Sequence, residues 1–100
     1  MNFQKKTIVY GFGITGQSIV SYLLKKNHKL IVIDNKKLSE DQKSFFKNNN
    51  IEYSENENEI YDLSIIEQCF VSPGVDLRKS FFQECIKNKI PIRNDWLTLT

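Results

Sequence analysis

One hundred residues, 40% of them hydrophobic and 26% charged, make an ordinary globular chain with room for one core and not for two lobes. The formal net charge of +2, with lysines scattered among glutamates and asparagines, gives no basic block that nucleic acid would select. No apolar run approaches the ~18 residues of a membrane span and no signal-peptide pattern opens the chain, so no membrane partner is expected.

The first apolar run, Thr7-Ile8-Val9-Tyr10, reads as a strand that stops at Gly11. Gly11, Gly13 and Gly16 follow in the spacing G-x-G-x-x-G. Ile19, Val20, Leu23 and Leu24 then recur at helical spacing and predict a helix over residues 15–26. Lys25 and Lys26 suit the negative end of its dipole, and Asn27 suits a left-handed cap. His28 falls in a short turn with no partner in view and is expected in solvent. Leu30 to Ile33, closed by Asp34, is a continuous apolar run, as in a parallel strand buried on both faces.

Ser39 opens a second helix reaching about Asn48, with Gln42 completing a capping box and Glu40 and Asp41 at the positive end. Phe45 and Phe46 are its anchors. Residues 51–54 predict a third strand near an edge, and the acidic, asparagine-rich residues 55–59 a solvated loop. Nothing fixes those carboxylates in convergent geometry, so no metal site is expected there. One irregular helical turn is expected within residues 60–67, then a fourth strand over 68–71, ended at once by Ser72-Pro73-Gly74. A third helix over 78–88 presents Phe81, Phe82, Cys85 and Ile86 to the core. Residues 90–93 form a short fifth strand that Pro91 confines to an edge, and Asp95 caps a further turn over 96–100. Cys69 and Cys85 belong to no CxxC or Cys/His cluster and are expected as reduced core residues of a cytoplasmic protein.

This alternation predicts a doubly wound, Rossmann-like α/β fold of about five mostly parallel strands, with helices on both faces. Residues 1–100 form the one domain. A ligand crevice belongs beyond the carboxyl ends of the strands, where loops 11–18, 34–37 and 72–76 converge.

Those loops suggest binding chemistry. Gly11 permits the sharp turn, Gly13 lets an anion approach the backbone, and Gly16 lets the helix pack on the sheet. Thr15 and Ser18 add hydroxyls at the helix start. Asp34, 18 residues beyond Gly16, stands where an acid accepts hydrogen bonds from a ribose. Asn35, Lys36 and Lys37 can reach a base, a ribose or a phosphate, and a lysine there also suits a 2′-phosphate. The structural alternatives are tight packing at the glycines and an Asx turn at Asp34. Catalytic groups are missing: the single histidine supports no Ser/His/Asp set, and no metal-ligand spacing is present. None of the four glycines is followed by lysine, which excludes a P-loop.

Taken together, GFGITGQS at residues 11–18, Asp34 closing the second strand and VSPGVD at residues 71–76 resemble the N-terminal domain of the Mur ligases, most closely their D-glutamate-adding branch. The branch that adds the third residue shares an SPG-like turn. Asn88-Lys89-Ile90-Pro91-Ile92 followed by Asp95 also resembles the family's last strand and exit helix, so the resemblance covers essentially the whole chain. It implies binding of UDP-N-acetylmuramoyl-L-alanine for peptidoglycan synthesis. Ile14, Thr15 and Gly16 would hold the diphosphate, and Asp34, Asn35 and Lys36 would meet the uridine, with Ser72 and Gly74 lining the same pocket. Gly11, Gly13, Gly16 and Ser18 would shape the phosphate turn. In the full ligase an acyl phosphate forms on the bound substrate and the amine of D-glutamate attacks it. The resemblance further implies partner ligase domains, a central ATPase that binds ATP and magnesium and a C-terminal domain, both outside this chain. No cofactor is expected on residues 1–100, and no ligation by them alone.

Two departures stand out. Lys36 replaces a frequent arginine and loses its planar fork. Asn94-Asp95-Trp96-Leu97 replaces a Gly-Asp/Glu-x-Glu-Leu pattern and lacks the glutamate. Two other functions fit the residues alone: a small NAD(P)-binding regulatory module, which needs only the glycine turn and Asp34, and a structural module without a ligand.

Overall fold

The runs over residues 7–10 and 30–33 are almost wholly apolar, so the sheet they centre must be covered on both faces. The computed structural model describes residues 5–56, 62–73 and 75–93. Within them the order is β1 (Lys6–Tyr10), α1 (Ile14–Lys25), β2 (Lys29–Ile33), α2 (Glu40–Asn48), β3 (Glu52–Ser54), β4 (Ile66–Val71), α3 (Ser80–Lys87) and β5 (Ile92–Arg93). Every pairing is parallel, in the order β3-β2-β1-β4-β5, with Ile8 opposite both Ile31 and Cys69. The chain thus winds outward from β1 in two directions, and the crossover loops on either side of it meet at the top of the central strands.

Alternate residues of each strand feed opposite faces. Ile8, Tyr10, Ile31, Ile33, Cys69 and Val71 meet Phe81, Phe82 and Cys85 of α3. Val9, Val32 and Phe70 meet Ile19, Val20 and Leu23 of α1 and Phe46 of α2. Fully burying each such side chain is worth about 1.5–3 kcal/mol before ordering costs. Both cysteines are free and buried, as expected. Burial, reinforced by the neighbouring acid Glu84, pushes the Cys85 thiol up to about 11; burial and then Cys85 push Cys69 higher still. Neither is a thiolate at neutral pH. Among the described residues, no helix is long and apolar enough to cross a membrane.

The helix ends follow local rules. The Ser39 hydroxyl accepts from the Gln42 amide (3.1 Å) while the Gln42 side chain accepts from the Ser39 amide (2.8 Å), completing the expected box. At the C-termini, Asn27, Asn50 and Lys89 adopt φ of 61°, 56° and 59°. The next residue in each case donates back five positions, His28 to Leu23, Ile51 to Phe46 and Ile90 to Cys85. Helices α1, α2 and α3 therefore stop by the same device, which only Asn27 announced.

Several expectations need correction. β4 begins at Ile66, not Gln68, and a single 3-10 turn at Leu63–Ile65 precedes it. Glu67 and Gln68 are tolerated inside the strand because Thr7, buried on β1, donates to the Glu67 carboxylate (3.2 Å) and accepts from the Gln68 amide (3.3 Å). His28 is half-buried rather than solvated, with Nδ1 3.3 Å from the same Glu67 carboxylate. Ile86 is 57% exposed, because the short α3 buries only the stripe of Phe81, Phe82 and Cys85. Phe46 is fully buried, whereas Phe45 lies across Phe12 at the surface. Residues 57–61 and the turn expected at 96–100 lie outside the described residues.

Candidate functional site

The glycine turn leaves β1 at Gly11, whose φ of +95° suits only glycine. Backbone bonds pin it to both neighbouring strands: the Gly11 amide donates to the Ile33 carbonyl (2.7 Å), and the Ser72 amide to the Tyr10 carbonyl (3.0 Å). The Ser72 hydroxyl also donates to the Gly11 carbonyl (3.2 Å), packed so closely that a Cβ on Gly11 would lie 2.6 Å from it. From the other side the Asp34 carboxylate accepts from the Phe12 amide (2.9 Å) and, through its second oxygen, from the Lys36 amide (2.9 Å). The turn is therefore clamped between the loops that follow β2 and β4. Asp34 and Ser72, expected as ligand contacts, are its two braces. Each still has lone pairs for a ligand.

The other glycines divide the work. A Cβ on Gly13 would meet nothing within 4 Å, so the backbone at the start of α1 is open to approach. A Cβ on Gly16 would lie 2.2 Å from the Gly11 carbonyl oxygen. Gly16 thus lets α1 close against the turn itself, not against the sheet. Ile14 and Thr15 enter as the first residues of α1, where backbone N–H groups lack intrahelical acceptors; their side chains lie outside what is described. No acidic side chain stands in that first turn to oppose an anion.

Gly11, Asp34, Asn35, Lys36 and Ser72 come together, as expected, around a cavity of about 450 Å³. That is within the range of small-molecule sites. Tyr10, Pro73, Val75, Asp76 and Lys79 complete its wall. Gly13, Gly16, Ser18 and Lys37 do not line it: Gly16 is buried against the turn, and the other three are exposed on the turn, on α1 and past Lys36. Gly74 lies outside the described residues.

Two acids face this cavity, and both are engaged. Asp34 accepts the two backbone bonds above. Asp76 is held by the Arg78 side chain (3.0 and 3.2 Å), which keeps its carboxyl below the usual carboxylate range. Among the described residues, the Lys36 ammonium has no carboxylate partner, and Lys79 stands on the wall formed by the loop after β4. The cavity therefore offers the Lys36 ammonium beside hydroxyl and carboxamide groups, a setting for a polar ligand that carries negative charge. Among the described residues, no three His, Cys, Asp or Glu side chains gather closely enough to hold a metal.

Tyr10 and Lys79 are the site residues that sequence reasoning missed. Each had a signal. Tyr10 is a hydroxyl-bearing aromatic at the carboxyl end of the central strand, and Lys79 caps the helix that must start at the crevice after β4.

The brace by Asp34 makes a prediction. Asp34→Ala removes the acceptor of two backbone donors, and because the site is half-exposed and water can replace part of the loss, about 2 kcal/mol of stability should go. Urea unfolding measures the loss, and faster hydrogen exchange at the Phe12 amide locates it. An unchanged midpoint would show that the carboxylate does not hold the turn.

A family model described as Mur ligase MurD-like, N-terminal domain, matches residues 5–94. Three curated relatives are UDP-N-acetylmuramoylalanine–D-glutamate ligases. That of Thermosipho africanus is 34% identical over 89 residues, 87% of this chain and 20% of the relative. That of Petrotoga mobilis is 33% identical over 70 residues, 70% and 16% of the two. The third, from Thermosipho melanesiensis, is 30% identical over 89 residues, 87% and 20%. The chain spans about a fifth or less of the length of these relatives.

Proposed function

The chain belongs to the MurD-like N-terminal domains of the Mur ligases, and from that premise we propose that its crevice binds UDP-N-acetylmuramoyl-L-alanine for a D-glutamate-adding ligase of peptidoglycan synthesis. One observation carries the proposal: the glycine turn and the loops after β2 and β4 are tied to one another and border one cavity, whose wall holds Asp34, Asn35, Lys36 and Ser72 together. The diphosphate rests at the N-terminus of α1, where the open backbone at Gly13 admits it and the helix dipole favours it. The uridine lies toward Asp34, Asn35 and Lys36, with Ser72 and Gly74 on the facing loop.

This domain binds and orients; it does not ligate. The sequence has no glycine followed by lysine and, among the described residues, no cluster of metal-ligating side chains, which supports placing the ATP and magnesium of such a ligase elsewhere. Those groups belong to partner domains of the ligase, acting in the cytoplasm.

Calorimetric titration of this chain with UDP-N-acetylmuramoyl-L-alanine, UDP, NADH and ATP tests the proposal. The two uridine ligands should saturate the chain, and NADH and ATP should not. Gly13→Val should weaken the uridine ligands at least tenfold while leaving the melting temperature nearly unchanged, because the new side chain fills open space. Saturation by NADH with no response to UDP would refute the proposal in favour of a dinucleotide-binding module.

A further inference from the structure

Glu55 opens the acidic stretch that the sequence reads as solvated, yet its carboxylate is engaged. Its Oε2 accepts from the Leu38 amide at 2.8 Å, 17 residues away in the chain. The end of β3 puts it there. Ser54, buried as the last residue of that strand, donates through its hydroxyl to the Asn56 carbonyl (2.7 Å) and accepts from the Asn56 amide (2.9 Å), which turns the chain at Glu55. The Ser54 carbonyl also accepts from the Asp34 amide (3.0 Å). The end of β3 thus holds the loop after β2 at two points, by backbone at Asp34 and by the Glu55 side chain at Leu38. Leu38 is itself buried in the cluster of Phe46 and Ile51. Among the described residues, no lysine or arginine pairs with Glu55. Asp34, Asn35 and Lys36 border the 450 Å³ cavity, and Glu55 stands outside its wall.

We propose that Glu55 is a positioning residue for the crevice, its carboxylate fixing from outside the far end of the loop that brings Lys36 to the ligand. The inference rests on the nucleotide-binding proposal above. The Leu38 side chain anchors that end of the loop in the core, and the bond to Glu55 fixes which way its peptide faces. A backbone amide is an obligatory donor, and an ionised carboxylate is the stronger kind of acceptor for it. With both ends held, the loop is ordered on folding and not on binding, which favours affinity. The edge strand β3 therefore serves the site without touching the ligand.

The test compares wild type, Glu55→Ala and Glu55→Gln, which keeps an acceptor oxygen on the same stem. Well below the melting temperature, UDP should bind Glu55→Ala about fivefold more weakly and Glu55→Gln within about twofold of wild type. The sign separates positioning from charge: loss of a carboxylate by electrostatics alone would strengthen binding of anionic UDP. Rescue by glutamine, which also lacks the charge, assigns the effect to the hydrogen bond. A second measurement needs no ligand: exchange of the Lys36 and Leu38 amides should quicken severalfold in Glu55→Ala and return toward wild type in Glu55→Gln. UDP affinity unchanged in Glu55→Ala, with UDP still bound by wild type, overturns the role of Glu55 and leaves the nucleotide site standing. Glutamine as weak as alanine, or Lys36 exchange unmoved by either substitution, overturns it too. Wild-type chain that ignores UDP altogether overturns both proposals.

Discussion

Gly16→Ala is expected to lose on the order of 3 kcal/mol, the upper range for overpacking a site that cannot give way. The added Cβ would stand 2.2 Å from the Gly11 carbonyl oxygen and 3.2 Å from its carbon, and both are backbone atoms. Neither side can yield cheaply. Gly11 is fixed by its amide bond to Ile33 and by the Ser72 hydroxyl, and α1 is fixed by Ile19, Val20 and Leu23 in the core. Separating them by more than about 1 Å would open that packing. A domain of this size has roughly 5–15 kcal/mol in all, so the variant should also show a markedly lower urea midpoint. Because the displaced element is the one whose N-terminus we propose meets the diphosphate, UDP affinity should fall even where the protein remains folded. A midpoint within 0.5 kcal/mol of wild type, on the scale of an ordinary surface change, would mean that α1 does not close on the turn as described.

Phe82→Ala is the second large effect, at about 3–5 kcal/mol. Phe82 is fully buried on α3 and lies against Tyr10 and, edge-on, against Phe81, in the cluster that also holds Ile8, Ile33 and Val71. Removing the ring leaves a void beside Tyr10, the residue through which the core reaches the crevice. The variant should therefore melt lower, and Phe82→Leu should recover most of the loss. A loss under 1.5 kcal/mol would indicate a site that collapses freely, and with it a looser anchor for Tyr10.

Much of this architecture was legible in the sequence because it is written locally. The runs Thr7–Tyr10 and Leu30–Ile33 have no polar face and so require a sheet covered on both sides. The Ser39–Gln42 box and Pro91 placed a helix start and an edge strand by chemistry confined to a few residues. The positions of the three loops followed from winding alone. What stayed hidden depends on groups distant along the chain. The start of β4 could not be read from Glu67 and Gln68, because what permits them is Thr7 on another strand. The place of His28 depended on that same glutamate. Ile86 obeyed the helical spacing yet remained outside, since the length of α3, not its periodicity, sets how much of its stripe meets the sheet.

At the site the same division holds. The glycine spacing announced a turn and a helix start, and Asp34 announced an acid at the end of β2. That Asp34 and Ser72 grip the turn from opposite sides depends on the order β2-β1-β4, which the spacing does not contain. Tyr10 was legible only as a strand residue, since its hydroxyl meets Asn35 only once the loop after β2 is brought beside β1.

An all-parallel sheet with β1 at its centre also sets a timetable for synthesis. Thr7 pairs with Gln68, so a ribosome adding roughly 5–20 residues per second exposes the first strand on that side for on the order of 3–12 s before its neighbour exists. During that interval Ile8 and Val9 are available to the wrong strand, and the glycine turn beyond them lacks Ser72. The most aggregation-prone moment in the life of this domain therefore falls before residue 72 is made, and slower translation of the first two thirds of the chain should lower its soluble yield.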